Sequence, residues 1–426
     1  MKEIKKNGLS NKIIFILALI FMGLRINIIG SISITEIFVL LYSPYLFYEY
    51  RKTKIPYLKV LCSLFIALII VQILSEYFIG NTLTNAMKGI AGTIMALLLF
   101  LFFFEKLCKD VSLIKWIPIA GIIRLILFGD QFGFSEIGED TYFKFFLAPI
   151  ISFVVCYLSL SNVSLIKKYI LLIFLAASLI IIIGGARSSG FSLLFSTLLC
   201  FIYEKYNTFS LKRIFPLLIV VIVAFQLFYA FLYVPKVASG EWGSKQNQEQ
   251  LARIGNSRNV FLMLFSARAD FYVSYLAFCD KPLWGHGAWA KDKGLKYAKI
   301  QAQLFSKDET SKTNINKGIE HWVPMHSVVM GMGTRNGIFA FLIFLVIFIL
   351  MYYIGIKALL PKAPYNIFLI YMLVSSFQHL LFGPISILKN NGSLAFALFF
   401  TLYCLKTVYL KKNENEIRTI SSNCNI

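Results

Sequence analysis

Apolar residues in this chain come in long runs of about 17 to 22, recurring almost from one end to the other, and the run Tyr169 to Ile183 carries no charge at all. Runs of that length match the hydrocarbon thickness of a bilayer. Lipid offers no hydrogen-bond partners, so each backbone amide has to be satisfied within its own segment, and the runs predict helices rather than open sheet. Twelve such runs lie near residues 12–29, 33–50, 57–75, 88–105, 111–128, 143–161, 167–184, 189–205, 212–233, 336–358, 363–382 and 391–409. Of 426 residues, 58% are hydrophobic and 15% charged, a composition for which lipid is the main solvent. The expected fold is an all-α polytopic membrane protein of about 12 transmembrane helices, a single membrane domain over residues 1–426.

The positions of the cations set an orientation. Lys2, Lys5, Lys6 and Lys12 precede the first run, Arg51, Lys52 and Lys54 follow the second, and Lys106 and Lys109 follow the fourth. Lys167 and Lys168, then Lys205, Lys212 and Arg213, then Lys357 and Lys362, and finally Lys406, Lys411 and Lys412 continue the alternation. Cation-rich links are cytoplasmic. The link Gly129 to Asp140 lies on the other side and holds Asp130, Glu136, Glu139 and Asp140 with no cation. Both termini are expected inside, in the inner (cytoplasmic) membrane of a bacterium. The segment from Met1 to Met22 resembles a signal peptide but shows no small-residue cleavage site, and reads as a retained first helix.

The formal net charge of +21 follows from this distribution and is not a sign of nucleic-acid binding. The cysteine count is 7, with Cys62, Cys156, Cys200 and Cys404 inside apolar runs, so no disulfide framework and no thiolate metal site is expected.

One link is long: about 100 residues, 234–335, form a large exterior (periplasmic) loop between the ninth and tenth helices. Loops of this size are usually functional. It is basic, with Lys236, Lys245, Arg253, Arg258 and Arg268 among its cations, which suits either a solvated face or an anionic ligand.

Three constellations stand out. The turn Gly184-Gly185-Ala186-Arg187-Ser188-Ser189-Gly190 joins the seventh and eighth helices on the exterior side. Its small residues admit a ligand, Ser188 or Ser189 is placed to cap the next helix, and Arg187 matches phosphate oxygens; a plain turn with an arginine at headgroup level reads equally well. Second, in the apolar stretch Val260 to Phe278, Arg268 shares a helical face with Phe261, Leu264, Phe265, Tyr272 and Tyr275, where it needs a carboxylate, a carbonyl or an anionic ligand. Third, His321-Trp322-Val323-Pro324-Met325-His326-Ser327 leads into Gly331 to Gly337 at the mouth of the tenth helix. The chain has 4 histidines, and His286, His321 and His326 all fall in the long loop. A neutral imidazole there suits general-base chemistry better than a metal site that lacks carboxylate or thiolate company. Arg25, Arg124 and His379 are ionisable groups in or near apolar runs.

The order of these parts resembles the O-antigen polymerase and O-antigen ligase superfamily. The matching elements are Gly185-Ala186-Arg187-Ser188-Ser189 at the exit of a helix, Arg268 followed by Asp280-Lys281-Pro282-Leu283-Trp284-Gly285-His286-Gly287, and His326-Ser327 with Gly333 and Gly337. The resemblance implies transfer of glycan from an undecaprenyl-pyrophosphate-linked oligosaccharide to an acceptor hydroxyl on the outer face of the membrane, with no metal and no cofactor. It implies that Arg187 and Arg268 hold the pyrophosphate, beside Arg258 and Ser188, and that His326 is the base. Ser327 stands where ligases often carry Asn, which favours a Wzy-type polymerase over a ligase acting on lipid A-core or protein. The other partners implied are membrane lipid and a chain-length regulator. A flippase for the same lipids is the competing class, but the halves show no evident repeat.

Topology carries the first prediction: reporters fused within residues 239–317 report an exterior location and reporters after Lys412 a cytoplasmic one. A cytoplasmic signal from the long loop overturns the orientation.

Overall fold

The computed structural model describes residues 8–27, 30–52, 55–129, 142–207, 219, 222–242, 245–262, 269–305, 321–325, 327–361 and 363–407. They are almost entirely helical. Five helices are long and apolar enough to cross a membrane: Tyr57–Ile79, Leu83–Lys109, Val111–Phe128, Ser164–Ile183 and Val328–Ala358. Shorter apolar helices run over Leu9–Phe21, Phe143–Ser159, Ile222–Ala238 and Asn366–Phe382. Further helices, Ile34–Lys52, Arg187–Tyr206 and residues 393–407, fall on the remaining apolar runs.

Burial on α3 (Pro56–Ile79) explains the sequence pattern. Ile66, Ile70 and Ile73 form a stripe about half exposed, while Leu61, Phe65, Leu68, Gln72 and Ser75 on the other face are fully buried. Such a helix turns apolar side chains outward as well as inward, which suits a lipid surround. Polar Gln72, Ser75 and Glu76 face the protein, near one end. The central helix, α4 (Leu83–Lys109), is buried on every side from Ala96 to Phe104. It packs on the helix 393–407, with Phe100 and Phe400 edge to face at 5.5 Å and Ser393 Oγ donating to the Ala96 carbonyl at 2.8 Å.

Side-chain contacts sort the helix ends into two groups. At one end, Lys106 Nζ donates to Tyr42 Oη at 3.2 Å and pairs with Glu105 at 3.1 Å, Asn11 reaches the Lys106 carbonyl, and Lys12 lies over Trp116. Cys108 meets Thr401 there, and Lys406 donates to the carbonyls of Lys357 and Leu359. At the other end, Lys389 pairs with buried Glu36 at 2.7 Å and Lys88 packs near Gly30. Cation-rich links thus meet one another, as the charge alternation requires.

Two expectations are corrected. The first run does not stay helical to residue 29: α1 (Gly8–Phe21) stops, and β1 (Arg25–Asn27) pairs antiparallel with β2 (Ser31–Ser33) before α2 (Ile34–Lys52). Gly23, packed against Arg124 and Phe128, ends the helix where the polar Arg25 and Asn27 would otherwise enter it. The tenth helix begins at Val328 rather than near 336, capped by Ser327 Oγ, which accepts from Met330 N at 3.1 Å. It is broken at Gly337, where φ is 77° and ψ −171°.

That break has a partner. Ile338 N, freed from the helical ladder, donates to the Pro282 carbonyl at 2.7 Å, while the Thr334 and Arg335 carbonyls accept from His286 N at 2.8 Å and Gly287 N at 2.9 Å. Irregular backbone at the edge of a bilayer persists only where protein satisfies it in this way. The approach is so close that a Cβ at Gly337 would stand 1.9 Å from the Leu283 carbonyl oxygen. Gly337→Ala is therefore expected to lower the Tm of the detergent-purified protein by several degrees or abolish its accumulation. Gly92→Ala, with nothing within 4 Å of the added methyl, should behave like wild type. Equal Tm for both variants would contradict the described break.

Candidate functional site

The exterior-assigned end of the bundle gathers most of the residues singled out from the sequence. Helices α5 (Trp116–Phe128), α6 (Phe143–Ser159) and α7 (Ser164–Ile183) lead to α8 (Arg187–Tyr206), which starts at Arg187 itself. Its N-cap is Ala186, without a side-chain cap, so Ser188 and Ser189 lie inside the first turn and do not cap it. The reason is that Arg187 already takes helical geometry, one residue earlier than a serine cap requires. Arg187 Nη2 donates to Asn247 Oδ1 at 2.8 Å, and the guanidinium stands 5.6 Å from the Tyr233 ring centroid. Asn247 is on α10 (Lys245–Arg253), in the long loop, and Tyr233 is on α9 (Ile222–Ala238).

Gln226, Tyr229 and Tyr233 share one face of α9. Gln226 Nε2 donates to the Arg258 carbonyl at 2.7 Å, and Gln226 Oε1 accepts from Val260 N at 3.0 Å. The Arg258 backbone is thereby fixed to the same face that carries Arg187, about 10 Å further along the helix by its rise per residue. Its side chain is exposed.

Arg268 and His326 lie outside the described residues, but their neighbours are placed. Phe271, on α11 (Ala269–Asp280), packs edge to face on Phe382 at 5.8 Å. Gly331, near the start of α13 (Val328–Ala358), is covered by Ile385 and the Met325 carbonyl. Ser192, in the second turn of α8, donates to Gln378. All three segments thus converge on residues 378–385, the end of α14 (Asn366–Phe382) and the link after it. His379 stands in that same stretch, its Nδ1 3.3 Å from Ser375 Oγ. Arg25 and Arg124 are placed elsewhere, on β1 and within α5.

A second assembly holds the loop's return. Ser75 Oγ donates to the Trp284 carbonyl at 2.6 Å, and the Glu76 carboxylate accepts from Ala288 N at 2.8 Å, Asn336 Nδ2 at 3.2 Å and Asn81 Nδ2 at 2.5 Å. The buried Arg335 guanidinium lies 3.8 Å from the same carboxylate. His321, which the sequence leaves without support, is also fixed: its carbonyl accepts from Asp292 N at 2.7 Å, and the adjoining Trp322 pairs with Lys291 in an isolated antiparallel bridge.

The motif histidine His286 is structural in this arrangement. Its Nε2 lies 2.8 Å from the Ala277 carbonyl, which requires a proton there, and 3.3 Å from the Tyr297 hydroxyl. Lys296 and Tyr297, on α12 (Lys296–Phe305), both donate to Asp280 Oδ2 at 2.5 Å and hold that carboxyl below its usual range. Burial pushes the His286 imidazole below its ordinary value and the Tyr297 phenol above its own. Among the described residues no three His, Cys, Asp or Glu side chains are grouped to hold a metal ion.

Asn247, Tyr233, Gln378 and Glu76 were missed by sequence reasoning. Intramembrane Glu76 was the most legible of them, as a lone acid near the end of an apolar run. No family model matches the chain, and comparison with characterised proteins finds none similar in sequence.

A pH dependence follows. A neutral His286 stabilises the loop above the ordinary imidazole value of about 6.5, and that stability is lost as pH falls from there through the lower folded value. Hydrogen exchange across residues 277–297, corrected for intrinsic rates, should accelerate between pH 7.5 and 5.5 in wild type and respond less in His286→Gln. Equal protection at both pH values in wild type would contradict it.

Proposed function

We propose that this chain is a membrane glycosyltransferase, a polysaccharide polymerase that moves glycan from an undecaprenyl-pyrophosphate carrier to the hydroxyl of a second lipid-linked repeat unit. In this reading twelve helices cross the bacterial inner membrane, both termini are cytoplasmic, and chemistry takes place on the exterior face. The observation that carries it is the convergence of the Arg187 turn and the segments flanking Arg268 and His326 on residues 378–385, at the end away from the cation-rich links.

The chemistry divides between two roles. His326 takes the proton of the acceptor hydroxyl as its oxygen attacks the anomeric carbon. The bond from that carbon to the pyrophosphate oxygen breaks, and the electron pair leaves with the pyrophosphate. Arg187 and Arg268 bind the departing charge with planar donors matched to phosphate oxygens, with Arg258 and Ser188 close to the same anion. A single displacement inverts the anomeric configuration. Tyr233 beneath the guanidinium and Asn247 beside it hold Arg187 in one orientation, so the donors are set before the charge develops.

Purified protein given only lipid-linked repeat units should build longer chains on the carrier. His326→Ala should slow this by about two to four orders of magnitude. Arg187→Lys should remain well below wild type, because an ammonium keeps the charge and loses the fork. Absence of growth unless a different acceptor is supplied would indicate a ligase. Carrier movement across the bilayer without bond formation would overturn the enzyme reading altogether.

A further inference from the structure

Trp289 occupies the left-handed region, with φ 57°, a conformation that is an outlier for so bulky a residue. The surrounding chain enforces it. Ala288, fully buried, donates its N–H to Glu76 and accepts from Asn81 Nδ2 at 2.9 Å. On the other side the Ala290 carbonyl accepts from Val323 N at 2.9 Å, and Lys291 bridges Trp322. The strained backbone directs a large apolar side chain outward: Trp289 is 50% exposed. Its neighbour Trp322 is 53% exposed, and the two rings meet at 5.8 Å and 84°. Together they form an open, right-angled aromatic corner whose backbone is fixed from both strands.

The surroundings are polar. Asp292 is only 5% exposed, yet its Oδ1 has no hydrogen-bond partner among the described residues; its Oδ2 accepts from Ala298 N. His321 Nε2, joined to the same bridge through its backbone, is also buried without a partner among them. Buried polar atoms of this kind carry a desolvation cost that a bound hydroxyl would relieve.

Resting on the glycosyltransferase reading, we propose that Trp289 and Trp322 form a sugar-binding subsite in which a pyranose ring of the acceptor glycan stacks on the indoles while its hydroxyls meet Asp292 and His321. A pyranose has one apolar C–H face and a hydroxyl rim, which matches an aromatic face bordered by hydrogen-bonding groups. An interfacial tryptophan that only anchors the protein in lipid needs neither a left-handed backbone nor a buried carboxylate beside it, and the carboxylate repels anionic headgroups. The position suits an acceptor. Trp322 stands four residues before His326, at most about 14 Å of extended chain, so a sugar on the corner is within a few rings of the proposed base.

The test uses full-length protein in nanodiscs and the repeat-unit oligosaccharide freed by mild acid from the host's own lipid-linked intermediates. Trp289→Gly removes the ring and relaxes the left-handed backbone, so it does not threaten folding; Trp289→Phe restores an aromatic face. The expected result is at least tenfold weaker oligosaccharide binding for Trp289→Gly and Trp322→Ala, with substantial recovery in Trp289→Phe. Binding of sugar-free undecaprenyl pyrophosphate should be unchanged. Unaltered oligosaccharide affinity in both variants overturns the subsite, as does a loss confined to nanodisc incorporation, which marks a lipid anchor. Direct binding is read separately from chain growth, so a wild-type protein that binds the oligosaccharide and does not elongate it fails the glycosyltransferase reading alone.

Discussion

The Glu76 carboxylate is the fixed point on which the exterior-assigned end depends. It sits 3% exposed at the last turns of α3, and an isolated charge there would be costly. Four groups answer it: the backbone N–H of Ala288, the side-chain amides of Asn81 and Asn336, and the Arg335 guanidinium. They come from the α3–α4 link, the returning loop and the re-entering helix, three places far apart in the chain. Breaking one side of a buried ion pair typically costs about 3–5 kcal/mol. The carboxylate therefore specifies which segments meet, and the other contacts follow from that choice.

Two consequences reach the site. The loop segment 282–287 is drawn against the broken helix, where its carbonyl and amide groups replace the missing ladder bonds at Gly337. Gly285, at φ 77°, permits this approach, because a Cβ there would stand 2.5 Å from the Arg335 carbonyl. With that segment fixed, α11 and the start of α13 are held side by side, with Thr334 Oγ1 donating to the Ser274 carbonyl at 2.8 Å. The chain on either side of Arg268 and His326 is then carried to the end of α14, where α8 brings Arg187. The proposed reaction needs this geometry: a base on one side of an anomeric carbon and fixed cations on the other.

Much of this was legible from the sequence, and the exceptions have physical causes. Helices lie on all twelve apolar runs because lipid leaves the backbone no other solution. Element ends were less legible. Gly23 and Gly337 look like other glycines in a hydrophobic run, yet one ends a helix and the other breaks one, and the difference lies in what packs against them. Arg187 was visible through its company of small residues and a serine pair. Asn247 and Gln378 were not, since a polar residue in a polar loop or near a helix end carries no local mark of its partner. The Trp289–Trp322 corner was hidden for the same reason: the two residues are separated by the stretch 290–321, and only the Lys291–Trp322 bridge brings them together.

The central claim is that one anionic carrier binds where these three segments meet. A photoreactive undecaprenyl-pyrophosphate glycolipid, activated in native membranes and mapped by mass spectrometry, tests it most directly. Labels are expected within residues 185–192, 247–271 and 378–385. Labels concentrated at the opposite end, around Lys106, Lys357 and Lys406, would contradict the account.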